Sequence, residues 1–210
     1  MTLLEEIPSE TFCEACIPVL ETKRLALRAP TLADAKTVAM LADDRRIAEN
    51  TARIPHPYRT ADAESFIAGA NKAGGEAVFL ITLPDDTIIG ACGIATAGIT
   101  TQEPTPELGY WLGVDYWGKG YATEALQAVV DYAFTDLGHV ALQAGSRVTN
   151  PASRRVLEKC GFQWTGVGLY RIKAIKSSAP IDRFRLERGI WSAIKGWGQG
   201  SVKGTIKRAD

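Results

Sequence analysis

The segment Val114-Asp-Tyr-Trp-Gly-Lys-Gly-Tyr-Ala122 is the starting point for interpreting this chain. It follows an extended, aromatic-rich run, Glu107-Leu-Gly-Tyr-Trp-Leu-Gly-Val114, and leads into apolar residues at helical spacing as far as Leu137. This pattern predicts a strand, a glycine turn and a helix. Gly118 and Gly120 lack the Cβ that would block close approach of the backbone, and the first amides of a helix have no intrahelical partner. The turn can therefore bind a phosphate, although a Gly-x-Gly pair by itself more often only lets a chain turn.

A second segment, Asn150-Pro-Ala-Ser-Arg-Arg-Val-Leu-Glu-Lys-Cys-Gly-Phe162, narrows the chemistry. Two other phosphate motifs are excluded, because the chain has no Gly-x-x-x-x-Gly-Lys-Ser/Thr and Thr123 replaces the third glycine of a dinucleotide-binding Gly-x-Gly-x-x-Gly. In the second segment Asn150 is a good N-cap for a helix with Pro151 at its first position, and Gly161 suits the residue after its end. Helix rules alone favour a structural cap as the role of Asn150.

Together the two segments resemble the acetyl-coenzyme A (acetyl-CoA) site of the GNAT superfamily of N-acetyltransferases. The resemblance covers residues 22 to about 191 and is closest to the ribosomal-protein N-terminal acetyltransferase branch. In that family an Arg or Gln stands three residues before the first glycine, where this chain has Asp115, so a cationic contact is not implied there. The resemblance implies acetyl-CoA as co-substrate, no metal, and as acceptor the amine of a small molecule or a peptide. It leaves a homodimer open.

The resemblance also implies roles for individual residues. The turn would direct its amides at the pyrophosphate, the strand backbone would bind the pantetheine arm like an added strand, and Asn150 would reach that arm. Ser153 is implied as proton donor to the cofactor sulfur, and Glu107 as the base, acting directly or through water; an exposed strand-edge carboxylate is the structural alternative for Glu107. The residues expected to bind acetyl-CoA are Trp111, Leu112, Val114, Trp117, Gly118, Lys119, Gly120, Tyr121, Ala122, Asn150 and Ser153.

Composition excludes several other classes of protein. The 24 basic and 24 acidic residues balance, so global charge does not favour nucleic acid or an anionic membrane, and no basic strip accompanies Tyr110, Trp111 and Trp117 to make them a base-stacking surface. The first residues carry acids in place of the positive region of a signal peptide, and no run approaches the length of a membrane span. Four cysteines do not suggest a disulfide framework, Cys13-x-x-Cys16 is a lone pair that is more readily a chance occurrence than a zinc or redox site, and neither His56 nor His139 is at metal-ligand spacing. We therefore expect a cytoplasmic protein.

The remaining elements surround the strand, turn and helix. Strands are predicted at 23–29, 140–148, 162–167 and 182–187, and a hairpin at 77–94. Helices are predicted after the capping box Thr31-Leu-Ala-Asp34, at 43–51, from Thr60 to near Gly74 and Gly75, and at 150–160. We predict a mixed α/β (α+β), three-layer GNAT-like fold with a mostly antiparallel central sheet of about seven strands flanked by helices. Residues 1–21 and 192–210 are expected to be tails of a single N-acetyltransferase domain at 22–191.

Two other functions compete with acetyl transfer to a primary amine. A non-catalytic acyl-CoA binding or regulatory module would keep the cofactor turn but lack a competent base or donor, and the presence of both Glu107 and Ser153 counts against it. A nucleotide-dependent transferase could use Gly118 and Gly120 for a nucleoside phosphate, but no Mg²⁺-binding carboxylate pattern accompanies the turn.

Overall fold

The fold is a single twisted sheet with helices on both faces. The computed structural model describes residues 17–70, 77–95 and 105–199. The strands are β1 (Leu20–Glu21), β2 (Ala26–Arg28), β3 (Ala77–Thr82), β4 (Ile88–Ala95), β5 (Glu107–Leu112), β6 (Ala141–Arg147), β7 (Gln163–Ile172) and β8 (Ser177–Glu187). The α-helices are α1 (Ala35–Ala42), α2 (Arg45–Ala48), α3 (Thr60–Gly69), α4 (Tyr121–Thr135), α5 (Pro151–Lys159) and α6 (Arg188–Gln199).

The sheet has the strand order β1-β2-β3-β4-β5-β6-β8-β7, and β5 and β6 form its one parallel pair among the described strands. This confirms the predicted mixed, mostly antiparallel architecture, with eight strands in place of about seven. The additional strand, β1, lies within the N-terminal tail predicted at residues 1–21. Two residues that pair with β2 are too few to produce a recognisable alternation in the sequence.

Two apolar clusters cover the two faces of the sheet, which gives the predicted three layers. On one face α4 and α5 bury Leu126, Val129 and Leu157 against the strands. On the other face α1 and α3 pack through residues that include Val38 and Ala63. Strands β3 and β4 are covered on both sides, so they read as continuous apolar runs, as expected for central strands.

Three predicted boundaries differ from the structure. Helix α3 ends at Gly69 because Ala70 is extended, with ψ of 144°, whereas the predicted end at Gly74 and Gly75 lies outside the described residues. Strand β8 begins at Ser177, opposite Ile172 of β7, so it takes up the last three residues of the predicted polar loop at 173–179. Helix α6 continues to Gln199, although disorder was predicted from Lys195 onward.

Packing against α4 accounts for the length of α6. The Trp191 indole Nε1 donates to Asp131 Oδ1 at 2.8 Å, Lys195 Nζ contacts Asp131 Oδ2 at 2.5 Å, and the Trp191 ring lies 5.2 Å from that of Phe134. These tertiary contacts outweigh the low helix propensity of Gly189 and Gly196. Within the described ranges, no helix is long and apolar enough to cross a bilayer.

Candidate active site

A cavity of about 930 Å³ opens where β5 and β6 separate. The two strands pair only at Glu107 with Gln143 and at Leu108 with Ala144, and then diverge. Beyond that point the β6-facing edge of β5, residues 109–112, has no strand partner in the part of the chain that the structure describes. A Cβ on Gly109, where the gap begins, would meet no atom within 4 Å. An extended, amide-bearing ligand can therefore pair with the free edge of β5.

The glycine turn lies at the end of β5 and opens into α4. Gly118 and Gly120 have φ angles of 73° and 81°, in the left-handed region that glycine adopts without strain. A Cβ on Gly118 would meet no protein atom, so the space beside it is open to a ligand. No side chain caps α4, whose first amides are left without intrahelical partners. Together with the helix dipole, these amides form a site suited to a phosphate.

The side chains of Trp117 and Arg24 hold this turn in place. The Trp117 indole Nε1 donates to the Leu112 carbonyl at 2.8 Å and ties the turn to the end of β5. Arg24, on the connection between β1 and β2, donates from Nη1 to the Lys119 carbonyl at 3.0 Å and from Nε to Glu124 Oε2 at 2.7 Å. Its guanidinium also stacks 4.7 Å from the centroid of the Tyr121 ring. Arg24 therefore links the turn to the first residues of α4 and places a positive charge beside it.

Asn150 caps α5, as helix rules predict. Its Oδ1 accepts a hydrogen bond from the Ser153 amide at 3.1 Å, and Pro151 occupies the first helical position. The cap uses only the carbonyl oxygen of the side chain, so the Asn150 amide nitrogen is still able to donate to a ligand. Asn150 and Ser153 both line the cavity. A structural role and a ligand-binding role of Asn150 are therefore compatible.

Ser153 makes a side-chain contact that the sequence did not indicate. The Tyr110 hydroxyl on β5 donates to Ser153 Oγ at 2.9 Å, across the face of the sheet that carries α4 and α5. Burial raises the pKa of Tyr110 to about 12, although the hydrogen bond to Ser153 acts in the opposite direction. The phenol therefore stays protonated at neutral pH and can return a proton to Ser153.

Glu107 lines the same cavity from the opposite face of the sheet. Successive strand residues point to opposite faces, so Glu107, Gly109 and Trp111 share one side of β5, and Tyr110 points to the other. The Trp111 side chain packs against the α1 and α3 cluster, which identifies that side. The cavity thus has a carboxylate on one face of the sheet and a hydroxyl pair on the other, joined through the gap between β5 and β6.

The structure brings most of the predicted site residues together. The cavity is lined by Glu107, Trp111, Leu112, Trp117, Gly118, Gly120, Tyr121, Ala122, Asn150 and Ser153. Val114 and Lys119 are not part of its lining: β5 ends at Leu112, Val114 begins a 3-10 turn, and the Lys119 ammonium lies 5.6 Å from the Tyr116 ring centroid. The Leu112 carbonyl is already occupied by Trp117, so the free strand edge is shorter than predicted.

Sequence reasoning did not indicate the contacts that Tyr110 and Arg24 make at the site. Tyr110 was expected only to pack, because its partner Ser153 lies 43 residues away in the chain. Arg24 is 95 residues from the turn that it contacts. Neither contact has a local sequence pattern, since both depend on which elements the sheet places side by side.

Comparison with known proteins agrees with this geometry. Residues 24–163 match the acetyltransferase (GNAT) domain family, and the chain belongs to that family. It is 31% identical over 151 residues to the uncharacterized N-acetyltransferase p20 of Bacillus licheniformis, a match that covers 70% of this chain and 84% of that protein.

Solved structures show the same fold. Mycobacterium smegmatis RimJ in complex with CoA-disulfide superposes with a TM-score of 0.67 and 20% identity, covering 82% of this chain and 89% of that one. Vibrio cholerae spermidine N-acetyltransferase in complex with CoA and spermine superposes with a TM-score of 0.68 and 20% identity, covering 81% and 99%. The turn, the uncapped helix and the free strand edge suit the pyrophosphate and the amide-bearing arm of acetyl-CoA. The chain is an acetyl-CoA-dependent N-acetyltransferase.

Proposed function

We propose that the protein transfers the acetyl group to a primary amine by direct attack within a ternary complex, without an acetyl-enzyme. The observation that carries this proposal is the opening between β5 and β6, which joins a carboxylate on one face of the sheet to a hydroxyl pair on the other. Acetyl-CoA supplies an activated acyl group on a thiol leaving group. The protein's part is then to hold the two substrates together, remove a proton from the amine and return one to the thiolate.

Glu107 is the proposed base. It stands where β5 and β6 begin to separate, and it takes the proton from the amine nitrogen directly or through one water molecule. Cys92 also lines the cavity, but it is 3% exposed, and burial raises its pKa far above the physiological range. Cys92 is therefore a poor nucleophile, which supports direct attack by the amine over a cysteine-linked intermediate.

Ser153 is the proposed proton donor, with Tyr110 behind it. Ser153 gives its hydroxyl proton to the departing thiolate and takes one from the Tyr110 hydroxyl, to which it is already hydrogen bonded. Water then returns a proton to Tyr110 and accepts the one that Glu107 took from the amine. A thiolate with a pKa of roughly 8.5 leaves without full protonation, so this donation accelerates the step but is not essential to it.

The test is the pH dependence of thiol release with saturating acetyl-CoA. We expect Glu107→Gln to lower kcat by about 100-fold at low pH and by much less near the pKa of the amine, where the acceptor is already neutral. Ser153→Ala and Tyr110→Phe should instead reduce kcat most at high pH, by about tenfold or less, and the double variant should be no worse than Ser153→Ala.

Two results would contradict these assignments. If the pH profile of kcat for Glu107→Gln ran parallel to that of the wild type, Glu107 would not be the base and would be only a charge at the edge of the strand. Binding of CoA with no thiol release across a broad panel of amines would favour the non-catalytic binding module instead.

A further inference from the structure

The charges around the cavity are unequal. Six basic side chains line it, against two carboxylates, Asp62 and Glu107. The basic residues are Arg46, Arg53, Arg147, Arg155, Lys159 and Lys173. Arg46 is paired with Asp44 at 2.6 Å, so the excess is smaller than this count, but the cavity still suits a ligand with negative groups better than a polycation.

Part of the positive charge belongs to the phosphate end of the cavity. Lys159 ends α5 next to Cys160, whose Sγ lies 3.8 Å from the Thr123 carbonyl in the first turn of α4. The end of α5 is therefore beside the glycine turn. Arg155 precedes Lys159 by four residues and shares its face of the helix. These two cations suit the phosphates of the co-substrate.

Arg147 lies in a different part of the cavity. It is the last residue of β6, and its Nη1 donates to the Glu49 carbonyl, just after α2, at 2.9 Å. This contact places the side chain on the α1 to α3 face, the same face as Glu107. Its Nε is buried and has no hydrogen-bond partner, and the guanidinium forms no ion pair with the described residues. A partly buried charge without a counter-ion is costly, so a bound carboxylate would offset that cost.

The position of Arg147 also indicates the size of the acceptor. Ala144 is the last residue of β6 that pairs with β5, and the backbone of Arg147 lies three residues further along the strand, a rise of roughly 10 Å from the start of the gap. The amine must reach the start of the gap, because Glu107 stands there. A single amino acid carries its amine and its carboxylate on one residue, whereas an extended peptide advances roughly 3.3 Å per residue and covers this backbone distance with its first three residues.

We propose, on the basis of the acetyl transfer proposed above, that the acceptor is a peptide N-terminus with an acidic side chain within its first three residues, and that Arg147 binds that carboxylate. Arg147 thus sets acceptor specificity from the α1 to α3 face, while the α4 and α5 face binds the phosphates of the co-substrate.

Three peptides that differ only at positions 2 and 3 test this: Ala-Glu-Glu-Ala-Gly-Tyr, Ala-Gln-Gln-Ala-Gly-Tyr and Ala-Lys-Lys-Ala-Gly-Tyr. We expect kcat/KM for thiol release by the wild type to be about tenfold higher for the glutamate peptide than for the glutamine peptide, and lowest for the lysine peptide, as a charge-assisted hydrogen bond predicts. Arg147→Gln should remove the preference for the glutamate peptide, and Arg147→Glu should favour the lysine peptide. The KM for acetyl-CoA should be unchanged in both variants.

Arg171→Gln is the matched control, because Arg171 is exposed on β7 and outside the cavity lining. It should keep the wild-type order of peptides. Equal kcat/KM for the glutamate and glutamine peptides in the wild type would overturn the inference, as would a peptide order in Arg147→Gln that matches the wild type. Thiol release with spermidine or a single amino acid, but with none of the peptides, would overturn it while leaving acetyl transfer to an amine intact. No release with any of these amines would contradict both proposals.

Discussion

Gly118 in the turn and Gly138 outside the site have the same backbone conformation but different surroundings. Gly118 and Gly138 have φ angles of 73° and 69°, and a Cβ on either would meet no atom of the protein within 4 Å. Gly138 lies in the loop between α4 and β6, away from the cavity, whereas Gly118 lines it. Both residues therefore need a positive φ, and they differ only in whether they lie at the cavity.

Gly118→Val and Gly138→Val should be equally destabilised, by about 1 to 2 kcal/mol, because both place a branched residue in the left-handed region. Only Gly118→Val should raise the KM for acetyl-CoA, by about tenfold or more, since its side chain fills the space beside the phosphate site. Thermal unfolding and steady-state kinetics measure the two effects. If the two variants had equal KM values for acetyl-CoA, the assignment of the glycine turn as the phosphate site would be wrong.

Asn150 can be tested with two substitutions that separate its two roles. Asn150→Ala removes the cap and should cost about 1 kcal/mol of folding stability. Asn150→Asp keeps a capping oxygen for the Ser153 amide but has no amide to donate. If Asn150 binds the pantetheine arm, both variants should weaken CoA binding in calorimetric titrations, although only Asn150→Ala loses stability. If Asn150→Asp bound CoA with wild-type affinity, capping α5 would be the only role of Asn150.

At the scale of elements, the turn between β1 and β2 supports the turn before α4. Arg24→Met removes the hydrogen bond to the Lys119 carbonyl and the ion pair with Glu124, so the glycine turn should lose its fixed conformation. We expect a several-fold rise in the KM for acetyl-CoA with little change in kcat, as for any loss that affects co-substrate binding alone.

Glu124→Gln provides the control for this prediction, because it breaks the ion pair but leaves the charge of Arg24 in place. If Arg24 acts by positioning the turn, both variants should raise the KM. A rise in Arg24→Met alone would mean that Arg24 contacts the co-substrate phosphates directly.

The junction between β2 and α1 should control acid stability. Burial tends to raise the pKa of Asp34, but its hydrogen bonds with Arg28, at 2.9 and 3.0 Å, and with Thr31 outweigh burial and lower that pKa. A lowered pKa in the folded state contributes stability above the unfolded pKa of roughly 3.9, and this stability is lost as pH falls through the folded value.

Asp34→Asn should therefore be less stable than wild type at pH 7, by about 2 kcal/mol. The difference should shrink as pH falls below roughly 4, where the carboxylate of the unfolded chain takes up a proton, and it should vanish below the lower pKa of the folded state. Urea unfolding between pH 7 and pH 2.5 measures this dependence. A constant difference over that range would show that the ionised carboxylate contributes nothing.

Elements with a local pattern were predicted correctly, and elements that depend on distant contacts were not. The α4 helix and the cap of α5 follow from the spacing of apolar residues and from Asn150 and Pro151, which act within a few residues of chain. The Tyr110 contact with Ser153 and the Arg24 contact with the turn depend on which strands are neighbours. Helix α6 was not predicted, because its contacts with Asp131 on α4 leave no pattern in its own sequence.

At the scale of the whole molecule, the opening between β5 and β6 connects the glycine turn with the other face of the sheet. Because β5 and β6 pair for only two residues, the sheet has a gap through which a chain of ligand atoms can pass from the phosphate turn to the α1 to α3 face. In the proposed mechanism Glu107 and Ser153 act from opposite faces of this gap, and the acetyl group passes directly from the co-substrate to the amine.

The most direct test of this account is the mass of enzyme and peptide after incubation with acetyl-CoA. With Ala-Glu-Glu-Ala-Gly-Tyr present, we expect one acetyl group on the peptide α-amine for each thiol released, and with acetyl-CoA alone an enzyme of unchanged mass. An acetylated enzyme that passes its acetyl group to the peptide, or thiol release without an acetylated product, would contradict direct transfer through the gap between β5 and β6.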